Sequence, residues 1–384
     1  MRKYFKYLHI ALIIFAVHGC ESQKKVNSEK GISISKAMTD NNNNDKGENF
    51  NKAIDKRNFI FPDDHGPHTD FKTEWWYFTG NLISEDNKEF GYQFTIFRSA
   101  LSKNKTSGNS EWNSNQIYMA HFAVTDISGK EFYYDERFSR EGNKLAGAQI
   151  NPFKIWLEDW QINETGDKII FDFPVINIRA KSEKVEINFT LESLKPLVLQ
   201  GDSGLSQKGS QIGNASYYYS YTKLKTEGKI IIEGKEYKVN GNSWMDREWS
   251  TSALSEDQKG WDWFALQLDD NTEIMYYQMR KNDGSPDIYS KGTFINQNGA
   301  SLEIKKDDID LKVSDYWESP GGEKYPSGWD IIIPSKNINL KITPAVKNQL
   351  MNVSVKYWEG AVKVEGTKDN SKIIGRGYVE LTGY

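Results

Sequence analysis

The sequence predicts an all-β protein built from two related domains, each folded as a β-sandwich or a closed barrel. Three observations support this prediction. Apolar and polar residues alternate in short runs, and glycine, asparagine and aspartate interrupt these runs roughly every eight to twelve residues. No stretch of about eleven residues spaces its apolar residues as an amphipathic helix does. One aromatic hairpin pattern occurs twice, about half a chain apart.

The predicted strands follow one another from residue 90 onward. A hairpin is indicated where 230–232 and 237–239 flank a turn at Glu233-Gly234-Lys235. The other runs that predict strands are 90–97, 168–173, 185–191, 301–305, 330–333, 339–342, 353–355 and 378–381. Many short strands are typical of sandwiches and barrels. A closed barrel is favoured because it leaves no strand edge exposed.

The repeated pattern defines the domain organisation. Trp75–Leu82 followed by Glu89–Tyr92 lines up with Trp261–Leu268 followed by Glu273–Tyr276. An ordinary domain holds about 100–200 residues, so a chain of 384 residues has room for two. We therefore expect an N-terminal domain over 59–251 and a C-terminal domain over 252–384.

Composition and charge exclude two classes of protein. The net charge of −4 supplies no basic stripe for phosphate groups, so nucleic acid is excluded as a partner. A mean hydropathy of −0.69 and the lack of a long apolar run exclude a polytopic membrane protein. The chain is rich in aromatic residues, with 12 Trp, 20 Tyr and 19 Phe. Such side chains suit both a filled core and an apolar ligand site.

Residues 1–19 have the pattern of a secretory signal peptide, with a basic start, an apolar centre over about 8–17 and a small residue, Gly19. Cys20 follows directly and is the one cysteine of the chain, so the segment resembles a bacterial lipoprotein signal. We expect Cys20 to be lipidated and to anchor the protein to a membrane of the bacterial cell envelope, on the periplasmic or outer surface. The alternative is an ordinary signal peptide beside a free cysteine.

Residues 20–58 are rich in Lys, Asn, Ser and Asp and contain one aromatic residue, Phe50. Such a segment buries too little apolar surface to offset the entropy lost on ordering. The composition predicts a disordered tether that leads to a folded body beginning near Phe59.

Carboxylates and histidines cluster just before the first aromatic strand. Asp64, His65, His68 and Asp70 lie within seven positions, and His121 could join them in a metal site. A His-x-x-His pair inside a Gly-Pro loop has no fixed geometry, however, so a polar network that holds the first strand is favoured. No metal and no other cofactor is expected.

A second cluster places Asp246, Arg247 and Glu248 between Trp244 and Trp249. In the functional interpretation, Asp246 or Glu248 is a general acid that faces an apolar cavity, where desolvation raises its pKa. In the structural interpretation, the cluster is a buried salt-bridge corner between the two domains, with the arginine paired to carboxylates and stacked on indole. The sequence leaves both interpretations open.

A Gly- and Ser-rich loop over 201–209 leads into a strand with three consecutive tyrosines, 217–219. The loop contains neither a nucleophile elbow nor a phosphate-binding pattern. It is interpreted as a loop that covers the mouth of a barrel.

Several of these stretches together resemble the AttH-type lipocalin-like family, which is related to the carotenoid 1,2-hydratases. The stretches that carry the resemblance are 64–81, 201–220, 244–250, 260–280, 357–360 and 375–383. The resemblance implies two tandem lipocalin-like antiparallel β-barrels in a secreted or lipid-anchored protein. Family members are variously described as transport-system components, secreted hydrolases or hydratases, so an envelope transport system is an implied partner.

The resemblance to the carotenoid hydratases also has departures. Their His-Asn-Trp and Tyr-x-Asp stretches, which carry the proposed acid chemistry, correspond here to Arg247-Glu248-Trp249 and Tyr276-Tyr277-Gln278. Arginine stays protonated at neutral pH and glutamine has no acidic proton, so that chemistry is not carried over with these positions. Trp249 and Tyr276 suit either the stabilisation of a cation or contact with an apolar chain.

Three hypotheses for the function follow. The first is binding of an apolar, lipid-like or isoprenoid-like small molecule inside the barrels, and the predicted binding residues are Trp76, His121, Tyr218, Arg247, Trp249, Trp263 and Tyr276. The second is a hydratase or hydrolase that acts on such a molecule with Asp246 and Glu248 as catalytic acid and base. The third is a structural lipoprotein whose barrels are filled by their own side chains.

Overall fold

The structure is a computed structural model that describes residues 32–33, 50–103, 114–251 and 254–384. The predicted signal peptide 1–19 and the predicted lipidation site Cys20 lie outside the described residues, as does most of the predicted tether. No helix in the part of the chain that the structure describes is both long enough and apolar enough to span a bilayer.

The all-β prediction is confirmed. The described residues form two large sheets in which all long strands pair antiparallel. Each sheet wraps around its own cluster of buried side chains, and one of the two is a nearly closed barrel. Helical structure in these residues is limited to four 3₁₀ segments of three residues each: Asp63–His65, Gly142–Lys144, Lys306–Asp308 and Pro334–Lys336.

The first sheet contains thirteen strands of the described chain. They are β2 Thr73–Ser84, β3 Glu89–Ala100, β4 Gln116–Asp126, β5 Glu131–Arg140, β6 Ala146–Gln149, β7 Lys154–Leu157, β8 Trp160–Ile170, β9 Phe173–Lys181, β10 Val185–Ser193, β11 Val198–Leu199, β12 Leu205–Gln207, β13 Ala215–Ile232 and β14 Lys235–Ser250. The strand order is β5-β4-β3-β2-β14-β13-β10-β9-β8-β7-β6, and β11 and β12 pair with β13. The last strand, β14, therefore pairs with the first, β2.

The second sheet contains eleven strands of the described chain. They are β1 Ile32–Ser33, β15 Gln258–Leu268, β16 Glu273–Lys281, β17 Lys291–Ile295, β18 Ser301–Lys305, β19 Asp310–Glu318, β20 Lys324–Ile333, β21 Ile338–Pro344, β22 Leu350–Asn352, β23 Val355–Lys368 and β24 Ser371–Leu381. The strand order is β18-β17-β16-β15-β24-β23-β21-β20-β19, and β1 and β22 pair with β23. Here too the last strand, β24, pairs with the first long strand, β15.

The two copies of the aromatic pattern form equivalent hairpins. In the first sheet the pattern forms β2 and β3, with Trp75 opposite Phe97. In the second sheet it forms β15 and β16, with Trp261 opposite Met279. Each hairpin occupies the same position in its sheet, because its first strand pairs with the strand that comes last along the chain in that sheet: β14 in the first sheet and β24 in the second.

Each sheet encloses a core of its own side chains. In the first, the Trp160 ring packs edge-on against Phe94 and Phe122 with centroid distances of 6.0 and 5.6 Å. In the second, Trp329 packs edge-on against Phe264 at 5.6 Å. These rings belong to two separate clusters of buried residues, one inside each sheet. The aromatic residues inside the barrels therefore act mainly as core.

A third cluster of buried side chains joins the outer faces of the two sheets. Its centre is Trp263 on β15, whose ring meets Tyr77 at 5.2 Å and Trp244 at 6.3 Å, both edge-on. The strands β2, β13 and β14 are consequently covered on both faces, by the first core and by the second sheet.

The structure differs from the predicted elements in three places. The predicted tether 20–58 is ordered over 50–58, because Ala53 is buried in the first core and Arg57 pairs with Asp64. The predicted strand 168–173 is broken by a turn at Phe171 and Asp172, which have positive φ values of 51° and 63°. The predicted strand 353–355 is largely the bend between β22 and β23.

Candidate active site

A cavity of about 70 Å³ lies between the two sheets, outside both barrel cores. Its wall is mainly aromatic, with eight such side chains: Trp75, Tyr77, Phe97, Tyr218, Trp261, Trp263, Tyr277 and Tyr357. The charged residues that line it are Lys208, Asp246, Glu248 and Glu380. A cavity of this kind, apolar with a few polar groups, is typical of sites for small apolar molecules.

Strand parity explains which residues reach the cavity. Successive side chains of a strand point to opposite faces, so residues two apart share a face. On β14, Asp246 and Glu248 line the cavity, whereas Met245 and Trp249 belong to the first core. On β15, Trp261 and Trp263 line the cavity by the same rule.

Asp246 is held by three donors on the wall of the cavity. Its Oδ1 accepts hydrogen bonds from the Ser220 hydroxyl at 2.6 Å and from Trp244 Nε1 at 2.7 Å, and its Oδ2 accepts one from the Tyr218 hydroxyl at 2.6 Å. Burial raises the pKa of Asp246 to about 7, because it outweighs these hydrogen bonds, and repulsion from Glu248 acts in the same direction. The carboxyl can therefore give up or take up a proton near neutral pH.

Glu248 is neutralised by a lysine from the Gly- and Ser-rich loop. Lys208 Nζ and the Ser216 hydroxyl both donate to Glu248 Oε1. The same ammonium group lies 5.3 Å from the Tyr277 ring centroid and 5.6 Å from that of Tyr218, within the range of cation–π attraction. The Lys208–Glu248 pair therefore forms one fixed polar edge of the cavity.

Two glutamates of the second sheet lie opposite each other, Glu359 on β23 and Glu380 on β24. Glu359 Oε1 accepts a hydrogen bond from the Tyr77 hydroxyl at 2.8 Å, and Glu380 Oε1 accepts one from Trp261 Nε1 at 2.7 Å. Burial raises the pKa of Glu359 well above its usual range, and repulsion from Glu380 adds to the shift. Burial raises the pKa of Glu380 to about 7.

Four of the predicted site residues do lie at the cavity: Asp246, Glu248, Tyr218 and Trp263. His121 lies one residue behind it, since its Nδ1 is 2.7 Å from the hydroxyl oxygen of Tyr357, which lines the wall. Its Nε2 is 3.3 Å from Glu136, and burial lowers the pKa of His121. His121 therefore lies behind the wall of the cavity, in contact with Tyr357 and Phe97.

The structure does not bring the other predicted binding residues, Trp76, Arg247, Trp249 and Tyr276, to this cavity. Trp76, Arg247 and Trp249 point into the first barrel, and Tyr276 belongs to the core of the second. The Arg247 guanidinium lies 4.1 Å from the Trp76 ring centroid. The reason is parity, since each of these residues is one position out of phase with a residue that lines the cavity.

The structural interpretation of the Trp244–Trp249 cluster is found in part. Arg247 pairs with a carboxylate and lies over the Trp76 and Trp249 rings, but this ion pair does not join the two domains. Arg247 is buried, but it pairs with Glu74 on β2 rather than with its neighbours Asp246 and Glu248. Arg98 on β3 pairs with the same carboxylate. Burial opposes the ionisation of Glu74, yet the two guanidinium groups outweigh it and hold the pKa of Glu74 well below its usual range. The ion pairs lie within the first sheet.

The histidine motif before β2 forms a polar network around this arginine. His68 Nε2 is 2.9 Å from Asp64 Oδ1, its Nδ1 is 3.0 Å from Arg247, and its ring stacks on Trp249 at 3.8 Å. His65 Nδ1 is 2.7 Å from the Tyr219 hydroxyl oxygen. Among the described residues, no three His, Cys, Asp or Glu side chains are grouped closely enough to hold a metal ion.

Sequence reasoning missed Lys208, Glu359, Glu380 and Tyr77. The two glutamates do have a signal in the sequence, because each is a single carboxylate within a strand segment of otherwise apolar or glycine residues, 357–362 and 377–381. Tyr77 shares the face of Trp75 by parity. Lys208 has no such signal, since a lysine within a Gly- and Ser-rich loop is common on protein surfaces.

Comparisons with known proteins find relatives along nearly all of the described chain. A solved structure of a putative AttH from Nitrosomonas europaea is 32% identical, with a TM-score of 0.75 over 87% of this chain and 99% of that one. The structure of kievitone hydratase from Nectria haematococca is 15% identical, with a TM-score of 0.64 over 88% and 97% of the two chains, and shows the same fold.

Two curated relatives are named for the addition or the removal of water. Kievitone hydratase of Fusarium solani subsp. phaseoli is 21% identical over 68% of this chain and 73% of its own length. Dehydratase AsqC of Emericella nidulans is 20% identical over 55% of this chain and 62% of its own length. The model of the AttH-like family matches residues 52–384. The chain therefore belongs to the AttH-like family.

Proposed function

We propose that the cavity between the two sheets adds water to, or removes water from, a carbon–carbon double bond of an apolar small molecule. The observation that carries this proposal is the position of Asp246. It is a carboxyl group with 4% of its surface exposed, on the wall of an aromatic cavity, and burial raises its pKa to about 7. A group of this kind can be protonated and still give up its proton at neutral pH.

The chemistry of addition follows from these groups. Protonated Asp246 gives its proton to one carbon of the double bond, which leaves a carbocation at the other carbon and an aspartate carboxylate. The electron-rich faces of Trp75, Trp261 and Trp263 stabilise the cation. A water molecule then forms the new carbon–oxygen bond and passes its extra proton to a second group. Removal of water follows the same steps in reverse.

The relatives support a water-addition function in preference to hydrolysis. One curated relative is a hydratase by name and another is a dehydratase. The structure of kievitone hydratase from Nectria haematococca has the same fold and covers 88% of this chain. The cavity also suits the chemistry, because it holds two carboxyl groups with different hydrogen-bond partners: Asp246 among neutral donors and Glu248 beside a lysine.

A second candidate function is binding of an apolar molecule without turnover. The eight aromatic side chains of the wall favour it, since they would hold such a molecule even without chemistry. The ligand would then lie between the barrels and not inside them, because each barrel has a core of its own. Lipid anchoring at Cys20 and a place in the bacterial envelope remain part of this proposal.

The two functions are separated by incubating the full-length protein with kievitone and with a bacterial lipid extract in water enriched in oxygen-18. Mass spectrometry then compares each compound with a sample that lacks the protein. Gain of one labelled water, or loss of one water, supports the enzyme. A compound that copurifies unchanged supports binding alone. If neither result is obtained with either sample, both functions are contradicted.

A further inference from the structure

The pair Glu359 and Glu380 places two carboxyl groups side by side at the cavity between the sheets. The two residues are direct cross-strand partners on β23 and β24. Glu359 is fully buried, and Glu380 lines the cavity. Two carboxylates directly opposite each other repel, and in an apolar environment they cannot both be ionised. One of the two therefore holds a proton.

The hydrogen bonds around the pair favour Glu359 as the group that holds it. Oε1 of Glu359 is occupied by the Tyr77 hydroxyl, whereas its buried Oε2 meets no donor among the described residues. A buried acceptor without a donor is costly. The cost is removed when Oε2 carries the proton and directs its O–H to the carboxylate of Glu380, the cross-strand partner of Glu359. Trp261 supports the ionised form of Glu380 by donating to its Oε1.

We propose that Glu380 accepts the proton that water releases in this cavity, and that Glu359 positions Glu380 as its neutral carboxylic acid partner. This inference rests on the proposed function. Glu248 is a poorer acceptor because Lys208 and Ser216 already donate to it. Asp246 would act from the first sheet and Glu380 from the second, so each barrel would supply one half of the acid–base pair.

The step balances in protons and electrons. When water attacks the carbocation, an oxygen lone pair forms the carbon–oxygen bond and one O–H bond of the water breaks. The proton goes to Glu380, which becomes neutral, while Asp246 has become a carboxylate in the earlier step. Water in the cavity returns the proton from Glu380 to Asp246. No oxidant or reductant is needed.

The charged and titratable groups around the pair come from three strands and one loop. Tyr77 lies on β2, Asp246 and Glu248 on β14, Tyr357 on β23 and Lys208 in the loop after β12. Asp246 disfavours and Lys208 favours the charge of Glu380. The lysine is partly neutralised by Glu248, so its influence on the pair is reduced.

The shared proton is tested by infrared spectroscopy on the full-length protein with isotopically labelled glutamate, at pH 8. The pH is above the pKa of about 7 that burial gives to Glu380 and Glu273. We expect the carbonyl band of a protonated, buried glutamic acid in the wild type, its loss in Glu359→Gln, and its persistence in Glu365→Gln, an exposed position on the same strand. Absence of the band from the wild type, or its persistence in Glu359→Gln, overturns the shared proton.

The catalytic role is tested with any compound, kievitone included, to which the wild type adds water. We expect Glu380→Gln to lower kcat about 100-fold or more, as is usual for loss of a general base. We expect Glu359→Gln to retain turnover within about tenfold because an amide still donates to Glu380, while Glu359→Ala loses kcat with little change in KM.

Full activity of Glu380→Gln, together with loss of activity in Asp246→Asn, overturns the role of Glu380 and leaves the proposed function intact. Full activity of both variants overturns both. Absence of turnover by the wild type overturns the proposed function and the catalytic role together, but the infrared measurement still decides the shared proton.

Discussion

Asp246 and Arg247 are adjacent on β14, but their side chains lie in two separate environments. Asp246 meets Tyr218, Ser220 and Trp244 at the cavity between the sheets, while Arg247 enters the first barrel and pairs with Glu74. Substitutions at these neighbouring sites should therefore have different consequences. Changes on the cavity side should affect chemistry, and changes on the barrel side should affect folding.

The stability contributed by Asp246 should fall as the pH rises. Burial raises the pKa of Asp246 from 3.8 to about 7 in the folded state. Between these values the folded protein keeps a proton that the unfolded chain has released. The contribution is therefore complete below about pH 4 and is lost as the pH rises through about 7. Asparagine mimics the neutral acid and does not titrate.

We accordingly expect Asp246→Asn to gain stability relative to the wild type between pH 4 and pH 8, by up to about 4 kcal/mol. Urea unfolding of both proteins at pH 4, 6 and 8 measures this difference. Asp310→Asn, at an exposed position on β19, is the control for the loss of one carboxylate in the same comparison. A difference between Asp246→Asn and the wild type that is the same at all three values would contradict the raised pKa.

Glu74→Gln should destabilise the protein strongly without altering the cavity. Glu74 is fully buried, and Arg98 and Arg247 both depend on its charge. Removing the charge leaves two buried guanidinium groups without their counter-ion, at a cost of about 3–5 kcal/mol.

Chemical denaturation measures this cost, with Glu227→Gln as the control. Glu227 has 60% of its side chain exposed on β13, and its change should stay within about 0.5 kcal/mol. Equal effects of the two substitutions would show that the Glu74 pairs contribute little.

Truncation of Trp76 should mainly lower stability, whereas truncation of Trp75 should mainly impair the cavity. Trp76 is fully buried in the first core, so Trp76→Ala should cost about 3–5 kcal/mol of folding free energy. Trp75 is half-buried and lines the cavity, so Trp75→Ala should cost less stability and should weaken binding or turnover of the apolar molecule. Thermal unfolding and native mass spectrometry with a copurifying compound separate the two effects. The parity argument fails if Trp75→Ala is the more destabilising change.

The sequence allowed the all-β fold, most of the strands and two of the cavity carboxylates, Asp246 and Glu248, to be predicted. The sequence did not show which face of β14 points into the core of the first barrel. Alternation reveals the buried face of a strand when the other face is exposed, but every residue from Ser243 to Ser250 is buried. Trp249 and Arg247 therefore seemed as suitable for a ligand site as Asp246.

The carboxyl pair depends on contacts that no local pattern contains. The Tyr77 hydroxyl reaches Glu359 across 282 positions of sequence, and Lys208 reaches Glu248 across 40. Glu380 lines the cavity and Glu359 meets Tyr77 because the second sheet packs its outer face on the first. Strand prediction places each residue on a strand but does not show which outer faces meet.

The central claim is that Asp246 supplies the proton for addition of water in the cavity between the sheets. The most direct measurement is incorporation of oxygen-18 from water into kievitone or a lipid-extract compound by the wild type, Asp246→Asn and Asp310→Asn. We expect Asp246→Asn to remain folded and to incorporate label about 10²–10⁴ times more slowly than the wild type and Asp310→Asn. Incorporation by Asp246→Asn at the rate of the wild type would contradict the claim.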